Sequence, residues 1–127
     1  MRIAAITAAG FGAAPNASAL ARVREANADL LVLLGGIGEG PGTAKATLQA
    51  LSSLSVPSLI VLGGRDTWAA REKALEDLPD GHRIIDGAGL RAVRIGSQTL
   101  VPLSGAELGR YALQPAACGF DQADLET

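Results

Sequence analysis

The chain is poor in the residues that most often build catalytic and metal sites. Its 127 residues include one histidine and one cysteine, and only 3% of them are aromatic. One cysteine cannot form an internal disulfide, which fits a reducing compartment and predicts a cytoplasmic protein. One imidazole, at His82, cannot make a histidine-based metal site. We therefore expect neither a bound metal nor another cofactor.

An excess of basic charge and a long apolar segment are also missing. The chain carries 11 lysines and arginines against 13 aspartates and glutamates, for a net charge of −2. Nucleic-acid binding needs a clustered basic face, so we expect no nucleic-acid partner. No run approaches the roughly 20 apolar residues that cross a bilayer, so we expect no membrane association. The start of the chain could be mistaken for a signal peptide, but its apolar run breaks at Gly10 and Gly12, and we interpret it as a buried first strand.

Aliphatic residues dominate what is present. Hydrophobic residues make up 48% of the chain, and most of them are alanine or leucine. A chain of this length is expected to form one domain with a real core. The apolar excess fits a protein that hides some surface against a partner, and it also fits an origin in an alanine-rich proteome. Composition leaves both explanations open.

Hydrophobic runs alternate with helical patterns over the first 80 residues. Residues 2–7, 30–34 and 58–62 are predicted strands, and each is followed by a helical pattern. The order β-α-β-α-β-α predicts a parallel sheet with right-handed crossovers. The predicted N-caps are Asn16 for the first helix and Asp66 or Thr67 for the third. The inward positions predicted for the first two helices are Ala19, Val23, Ala26, Ala44, Leu48, Leu51 and Leu54.

The second part of the chain has a different pattern. Residues 83–86, 90–95 and 98–103 are short runs joined by glycine turns, which predicts an antiparallel meander. An irregular segment and a short terminal helix that starts at Asp121 are expected after it. We therefore predict one domain over residues 1–127, with βα repeats at 1–80, meander strands at 82–105 and an irregular tail with a short terminal helix at 106–127.

Each of the first three predicted strands ends in a glycine-bearing turn. These turns are Ala8-Ala9-Gly10, Gly35-Gly36 and Gly63-Gly64-Arg65-Asp66. Ligands of α/β proteins bind beyond the carboxyl ends of the strands, where such turns lie. The order and spacing of the turns resemble the calcineurin-like metallophosphoesterases, whose strands end in Asp-x-His, Gly-Asp and Gly-Asn-His-Asp or Gly-Asn-His-Glu. The resemblance covers residues 2 to about 105 and implies a truncated αββα sandwich that lacks the C-terminal histidine strands.

The resemblance also implies that the metal site has been lost. By position, the vestigial metal-site residues are Ala8, Gly10, Gly36, Gly64, Arg65 and Asp66. Alanine and glycine have no side-chain donor atoms, and Arg65 brings a permanent positive charge to a place where cations should bind. A two-metal phosphoesterase needs bridging and terminal ligands around cations about 4 Å apart. We therefore expect a pseudo-enzyme with no catalytic residue and no metal ligand.

Two residues of the third turn carry alternative interpretations. Asp66 is either a surviving functional carboxylate or, as we favour, a helix N-cap. Arg65 is either an anion-binding residue beside a helix N-terminus or a solvated or ion-paired arginine. The glycine-rich loop at 35–42 lacks the Gly-Lys-Ser/Thr of a phosphate-binding loop. An anion or nucleotide sensor that uses Arg65 is thus the alternative function, and a phosphoesterase completed by a partner chain is the third.

The function expected from these features is that of a structural or protein-interaction module. The second sheet of the family's sandwich takes strands from the part that is missing here. Without them an apolar sheet face is exposed, which a monomer in water rarely tolerates. We therefore expect a homodimer or a partner protein that covers the exposed sheet.

Overall fold

The computed structural model describes residues 1–7, 17–107, 119–120 and 122–126. Four strands form one parallel sheet in the order β1-β2-β3-β4. They are β1 (Ile3–Thr7), β2 (Leu30–Leu34), β3 (Ser58–Val61) and β4 (Ile84–Asp86). Helix α1 (Ala17–Glu25) lies between β1 and β2 in sequence, α2 (Pro41–Ser52) between β2 and β3, and α3 (Trp68–Glu76) between β3 and β4. The α/β class and the parallel βα unit are confirmed.

One face of the sheet packs against the three helices. Leu31, Leu33 and Ile60 project from the central strands into this layer and are fully buried. The helical residues of the same core cluster are Leu20, Val23, Ala44, Leu48, Leu51, Ala70 and Ala74. Alternate residues of a strand point to opposite faces, so this core uses only half of each strand. Burial of aliphatic side chains in this layer is the main source of its stability.

The second face of the sheet is covered only in part. An antiparallel hairpin of β5 (Val93–Ile95) and β6 (Gln98–Leu100) packs on it. Its core cluster is built from Leu30, Leu59 and Val93, with Val32, Val61, Ile85, Ile95 and Leu100 partly buried around them. Toward β1 the same face stays in contact with solvent, and Ile3 and Leu34 are 43% and 48% exposed. We call Ile3, Ala5, Thr7 and Leu34 the open corner.

Strand β4 corrects the predicted order of strands. Residues 83–86 were expected in the antiparallel meander, but β4 pairs parallel to β3, with Ser58 opposite Ile84. Helix α3 is the crossover that makes this parallel pairing possible. The segment Gly87–Gly89 that follows is a 3-10 turn whose cap is the Asp86 side chain, which accepts a hydrogen bond from the Ala88 N–H. Only the β5–β6 pair is antiparallel in the described part of the chain.

The first strand and the first helix also differ from expectation. β1 is an edge strand with alternating exposure and is not a buried strand. In α1 the buried residues are Leu20 and Val23, while Ala26 lies past the end of the helix and is exposed. The predicted cap Asn16 lies outside the described residues. In α2 the predicted inward residues Ala44, Leu48 and Leu51 are buried, and Leu54 is buried just beyond the helix end.

The C-terminal part contains two further short elements and a helix. β7 (Ala106–Glu107) pairs parallel to β8 (Gly119–Phe120), so the tail expected to be irregular contains two short strands. Helix α4 (Gln122–Glu126) confirms that a short terminal helix is present, while its predicted first residue, Asp121, lies outside the described residues. Among the described helices, none combines the length and the apolar character that crossing a bilayer requires.

Candidate functional site

The turns after β2 and β3 meet at the carboxyl edge of the sheet, backbone against backbone. A Cβ added to Gly35 would lie 3.1 Å from the Gly63 Cα, and one added to Gly63 would lie 3.0 Å from the Gly35 Cα. Gly35 also has a φ of +76°, a conformation that residues with a side chain rarely adopt. The two glycines therefore allow a contact that leaves no room for a side chain between the turns.

The Asp66 carboxylate accepts hydrogen bonds from backbone N–H groups of both turns. The Asp66 side chain is fully buried, at 0% exposure. One carboxylate oxygen, Oδ2, accepts hydrogen bonds from the Gly63 N–H at 2.7 Å and the Gly36 N–H at 2.8 Å. The other oxygen, Oδ1, accepts a bond from the Gly38 N–H at 3.3 Å. A sharp turn whose successive N–H groups converge forms an anion-binding concavity, and here the protein's own carboxylate fills it.

This arrangement is unsuited to a cation. A carboxylate has about four lone-pair directions, and backbone N–H donors take three of those of Asp66. A metal ion would have to displace these donors and would meet glycine backbone in place of further ligands. No group of three or more His, Cys, Asp or Glu side chains that could hold a metal occurs among the described residues.

The cap of α3 is Thr67, which corrects our preference for Asp66. The Thr67 hydroxyl oxygen accepts a hydrogen bond from the Ala70 N–H at 3.2 Å. Asp66 points into the turns, so it is unavailable for capping. Sequence proximity to a helix start favoured the N-cap role for Asp66, and the acceptor role was missed because its donors lie in the preceding loops.

Arg65 belongs to the turn after β3, and its exposed side chain forms an ion pair with Glu39. Its Nε and one terminal nitrogen lie 2.7 Å and 2.6 Å from Glu39 Oε1, and both side chains are exposed. The pair bridges the loop after β2 to the loop after β3 at the surface. Glu39 offsets the charge that an anion would meet, so anion binding at Arg65 stays a prediction.

Ser104 and Gly105, which follow the hairpin in sequence, hydrogen-bond to the backbone of Leu62 at the end of β3. The Ser104 hydroxyl oxygen accepts the Leu62 N–H at 3.0 Å, and the Gly105 N–H donates to the Leu62 carbonyl at 2.7 Å. These contacts bring the segment after the hairpin back to the carboxyl edge. No local sequence signal indicates this role, since 42 residues separate Ser104 from Leu62.

A second polar cluster lies at the start of α3 and the end of β4. The Arg71 guanidinium lies 5.0 Å from the centre of the Trp68 ring and 3.1 Å from the Asp86 carboxylate. Trp68 is 44% exposed, so it does not anchor the helix on the sheet as an apolar core residue would. The cation and the ring stabilise each other, which fits a partly solvated helix end.

The structure brings together four of the six positions that the resemblance assigned to a vestigial metal site. Gly36, Gly64, Arg65 and Asp66 lie in the two adjoining turns. Ala8 and Gly10 lie outside the described residues, as does Cys118. His82 is separate from the turns, and its Nδ1 accepts a hydrogen bond from the Ile84 N–H at 3.1 Å. The carboxyl edge thus contains backbone donors, one internally satisfied carboxylate and one surface ion pair.

No family model, curated protein or solved structure matches this chain.

Proposed function

We propose that this protein is a non-catalytic, metallophosphoesterase-like pseudo-enzyme that serves as a structural or protein-interaction module. The observation that carries the proposal is the hydrogen bonding of Asp66. Three backbone N–H groups from the turns occupy the only carboxylate of the vestigial site in the described residues. The place where a phosphoesterase would hold cations therefore serves to join two loops.

The open corner supports the interaction part of the proposal. Ile3 and Leu34 are large apolar residues that each leave more than two fifths of their surface in water. The hairpin β5–β6 covers the neighbouring part of the same sheet face. A partner that extended this cover toward β1 would remove apolar surface from water, at roughly 25 cal/mol per Å².

Metal analysis and a phosphodiesterase assay on the same purified sample test the non-catalytic part. We expect less than stoichiometric metal after purification with added manganese, and no turnover of a generic aryl phosphodiester above the buffer rate. Removal of the manganese with a chelator is the matched control, because it leaves the hydrogen bonds of Asp66 in place. Turnover by the unmodified protein that the chelator abolishes would show a metal-dependent active site and overturn the proposal.

A second assay distinguishes the proposed structural role from that of a phosphoesterase completed by another chain. The same assay is run on the protein purified from its own cells together with whatever copurifies. Activity that requires both components would replace the structural role with a catalytic one. We expect any copurifying chain to bind without creating activity.

A further inference from the structure

Strand β1 presents a row of backbone groups along the outer edge of the sheet that have no partner among the described residues. The Arg2 carbonyl accepts hydrogen bonds from the Asp29 and Leu30 N–H groups, so Arg2 points toward β2. Strand residues alternate in direction, and the register of Ile3 with Leu30 places Ala4 and Ile6 on the β2 side as well. The N–H and C=O groups of Ile3, Ala5 and Thr7 consequently point away from the sheet. Among the described residues, β1 pairs with β2 alone.

The opposite edge of the same sheet is protected. β4 has only three residues and leads directly into a 3-10 turn. Its outward-facing Ile84 N–H is taken by the His82 imidazole at 3.1 Å. Short edge strands, charged side chains and prolines are among the devices by which proteins prevent an edge strand from pairing with another chain.

In the described part of the chain, β1 has none of these devices. Its five residues, Ile-Ala-Ala-Ile-Thr, include no charge and no proline. The nearest charged residue, Arg2, is held toward the α1–β2 connection, where its side chain donates to the Ala26 carbonyl at 3.0 Å and its N–H donates to Asp29 Oδ2 at 2.6 Å. Within the described part of the chain, no charged side chain and no proline protects this edge.

We propose that β1 is the site at which a second copy of this chain binds, by antiparallel pairing about a two-fold axis at Ala5. Because Ile3, Ala5 and Thr7 all point outward, this register places Ala5 opposite Ala5 of the second copy and Ile3 opposite Thr7. Each pair can exchange two N–H···O bonds, as hydrogen-bonded pairs of an antiparallel ladder do. Two β-branched residues then face each other at either end, and the smallest side chains meet at the axis.

The self-complementary pattern is the reason for choosing a second copy as the occupant. A two-fold interface uses the same patch on both subunits, and β1 supplies matching donors, acceptors and side chains to itself. The pairing also places the two open corners side by side on one face of a continuous sheet. This inference rests on the proposed function as an interaction module and names its partner.

Site-specific disulfide formation tests the register. In the Cys118→Ser background, we expect Ala5→Cys to form a disulfide-linked dimer under mild oxidation. The Cα atoms of a hydrogen-bonded antiparallel pair are about 5.5 Å apart, within the range of about 4.4–6.8 Å that a disulfide spans. Thr7→Cys is the matched control, because the two Thr7 residues would lie about 13 Å apart along the ladder. Equal linking of the two variants, or linking of Thr7→Cys alone, would overturn the register.

The mass in solution tests the dimer without a cysteine. Light scattering across micromolar to submillimolar concentrations should show a reversible monomer–dimer equilibrium, since edge pairing buries less area than a standard stable interface. Ile3→Lys should shift the protein to monomer, whereas Val101→Lys should not, because Val101 is 76% exposed and lies outside β1. A monomer at every concentration, or a dimer indifferent to Ile3→Lys, would rule the proposal out.

Ala5→Pro provides a variant that keeps the fold. The Ala5 N–H points outward, so proline removes a donor from the edge and leaves the β1–β2 bonds in place. We expect an unchanged far-ultraviolet circular dichroism spectrum and a monomeric mass. A folded Ala5→Pro protein that still dimerises would contradict the pairing. The metal and turnover measurements do not depend on mass, so failure of the dimer is distinguishable from failure of the pseudo-enzyme proposal.

Discussion

The Asp66 carboxylate accepts a hydrogen bond from the Gly36 N–H at 2.8 Å, although 30 residues separate them in the chain. Through this bond a residue just before α3 holds the turn that follows β2. The same oxygen accepts the Gly63 N–H, so one carboxylate holds both turns in place.

Removing this carboxylate should cost more stability than any other single acidic substitution tested. Asp66→Ala leaves three backbone donors without their acceptor, and each buried unsatisfied donor costs about 1–3 kcal/mol. We expect a loss of about 3 kcal/mol or more in the free energy of unfolding, measured by urea denaturation. Asp80→Asn, at an exposed position, is the control and should change stability by less than about 0.5 kcal/mol. Similar values for the two variants would contradict the role assigned to Asp66.

The glycine contact between the turns predicts a second stability difference. Gly35→Ala would force a Cβ to within 3.1 Å of Gly63 Cα at a φ of +76°, and we expect a loss of about 2 kcal/mol. Gly42→Ala is the matched control, because it lies in α2 with nothing within 4 Å of the added Cβ. Alanine has the higher helix propensity, so the control should be neutral or stabilised by up to about 1 kcal/mol. Thermal and urea unfolding measure both.

Removing the hydroxyl of Ser58 and removing that of Ser104 should have different effects on the free energy of unfolding. The Ser58 hydroxyl is buried and has no hydrogen-bond partner in the described part of the chain. Ser58→Ala should therefore be neutral or stabilising by about 1 kcal/mol. Ser104→Ala removes the acceptor of the Leu62 N–H and should destabilise by about 1–2 kcal/mol. The same sign for the two variants in urea unfolding would argue against these assignments.

Phosphate and nucleotides should leave the thermal midpoint of the protein unchanged. A ligand that binds only the native state must raise this midpoint, and the Glu39 carboxylate already occupies Arg65. Arg65→Ala alone should change stability by no more than about 0.5 kcal/mol, because the ion pair is exposed. If phosphate raised the midpoint and Arg65→Ala abolished the rise, the anion-sensor alternative would be the better description.

The central strands could be predicted from the sequence because their signals are local. β2 has the predicted bounds, since an unbroken apolar run lies between Asp29 and Gly35. β4 could not be assigned in the same way, because three residues carry no periodicity and their partner is set by the α3 crossover. β1 has the apolar composition of a buried strand, and only the order of the sheet makes it an edge.

The site was predictable in position but not in chemistry. The glycine turns identified the carboxyl edge, where Gly36 and Asp66 do lie together. The local sequence around Asp66 resembles a helix start. The three N–H groups that donate to Asp66 come from two turns, and these turns lie close together only because β2 pairs with β3. The pairing of Arg65 with Glu39 likewise joins two loops 26 residues apart.

The His82 imidazole on the Ile84 N–H has a consequence for the size of any assembly. A sheet with two receptive edges can add subunits without limit and grow into a fibre. β4 offers a second chain only three residues, and the Ile84 N–H is already taken, so pairing through β1 would use up the longer edge in the described part of the sheet. Growth would then stop at two chains, because a two-fold contact closes on itself.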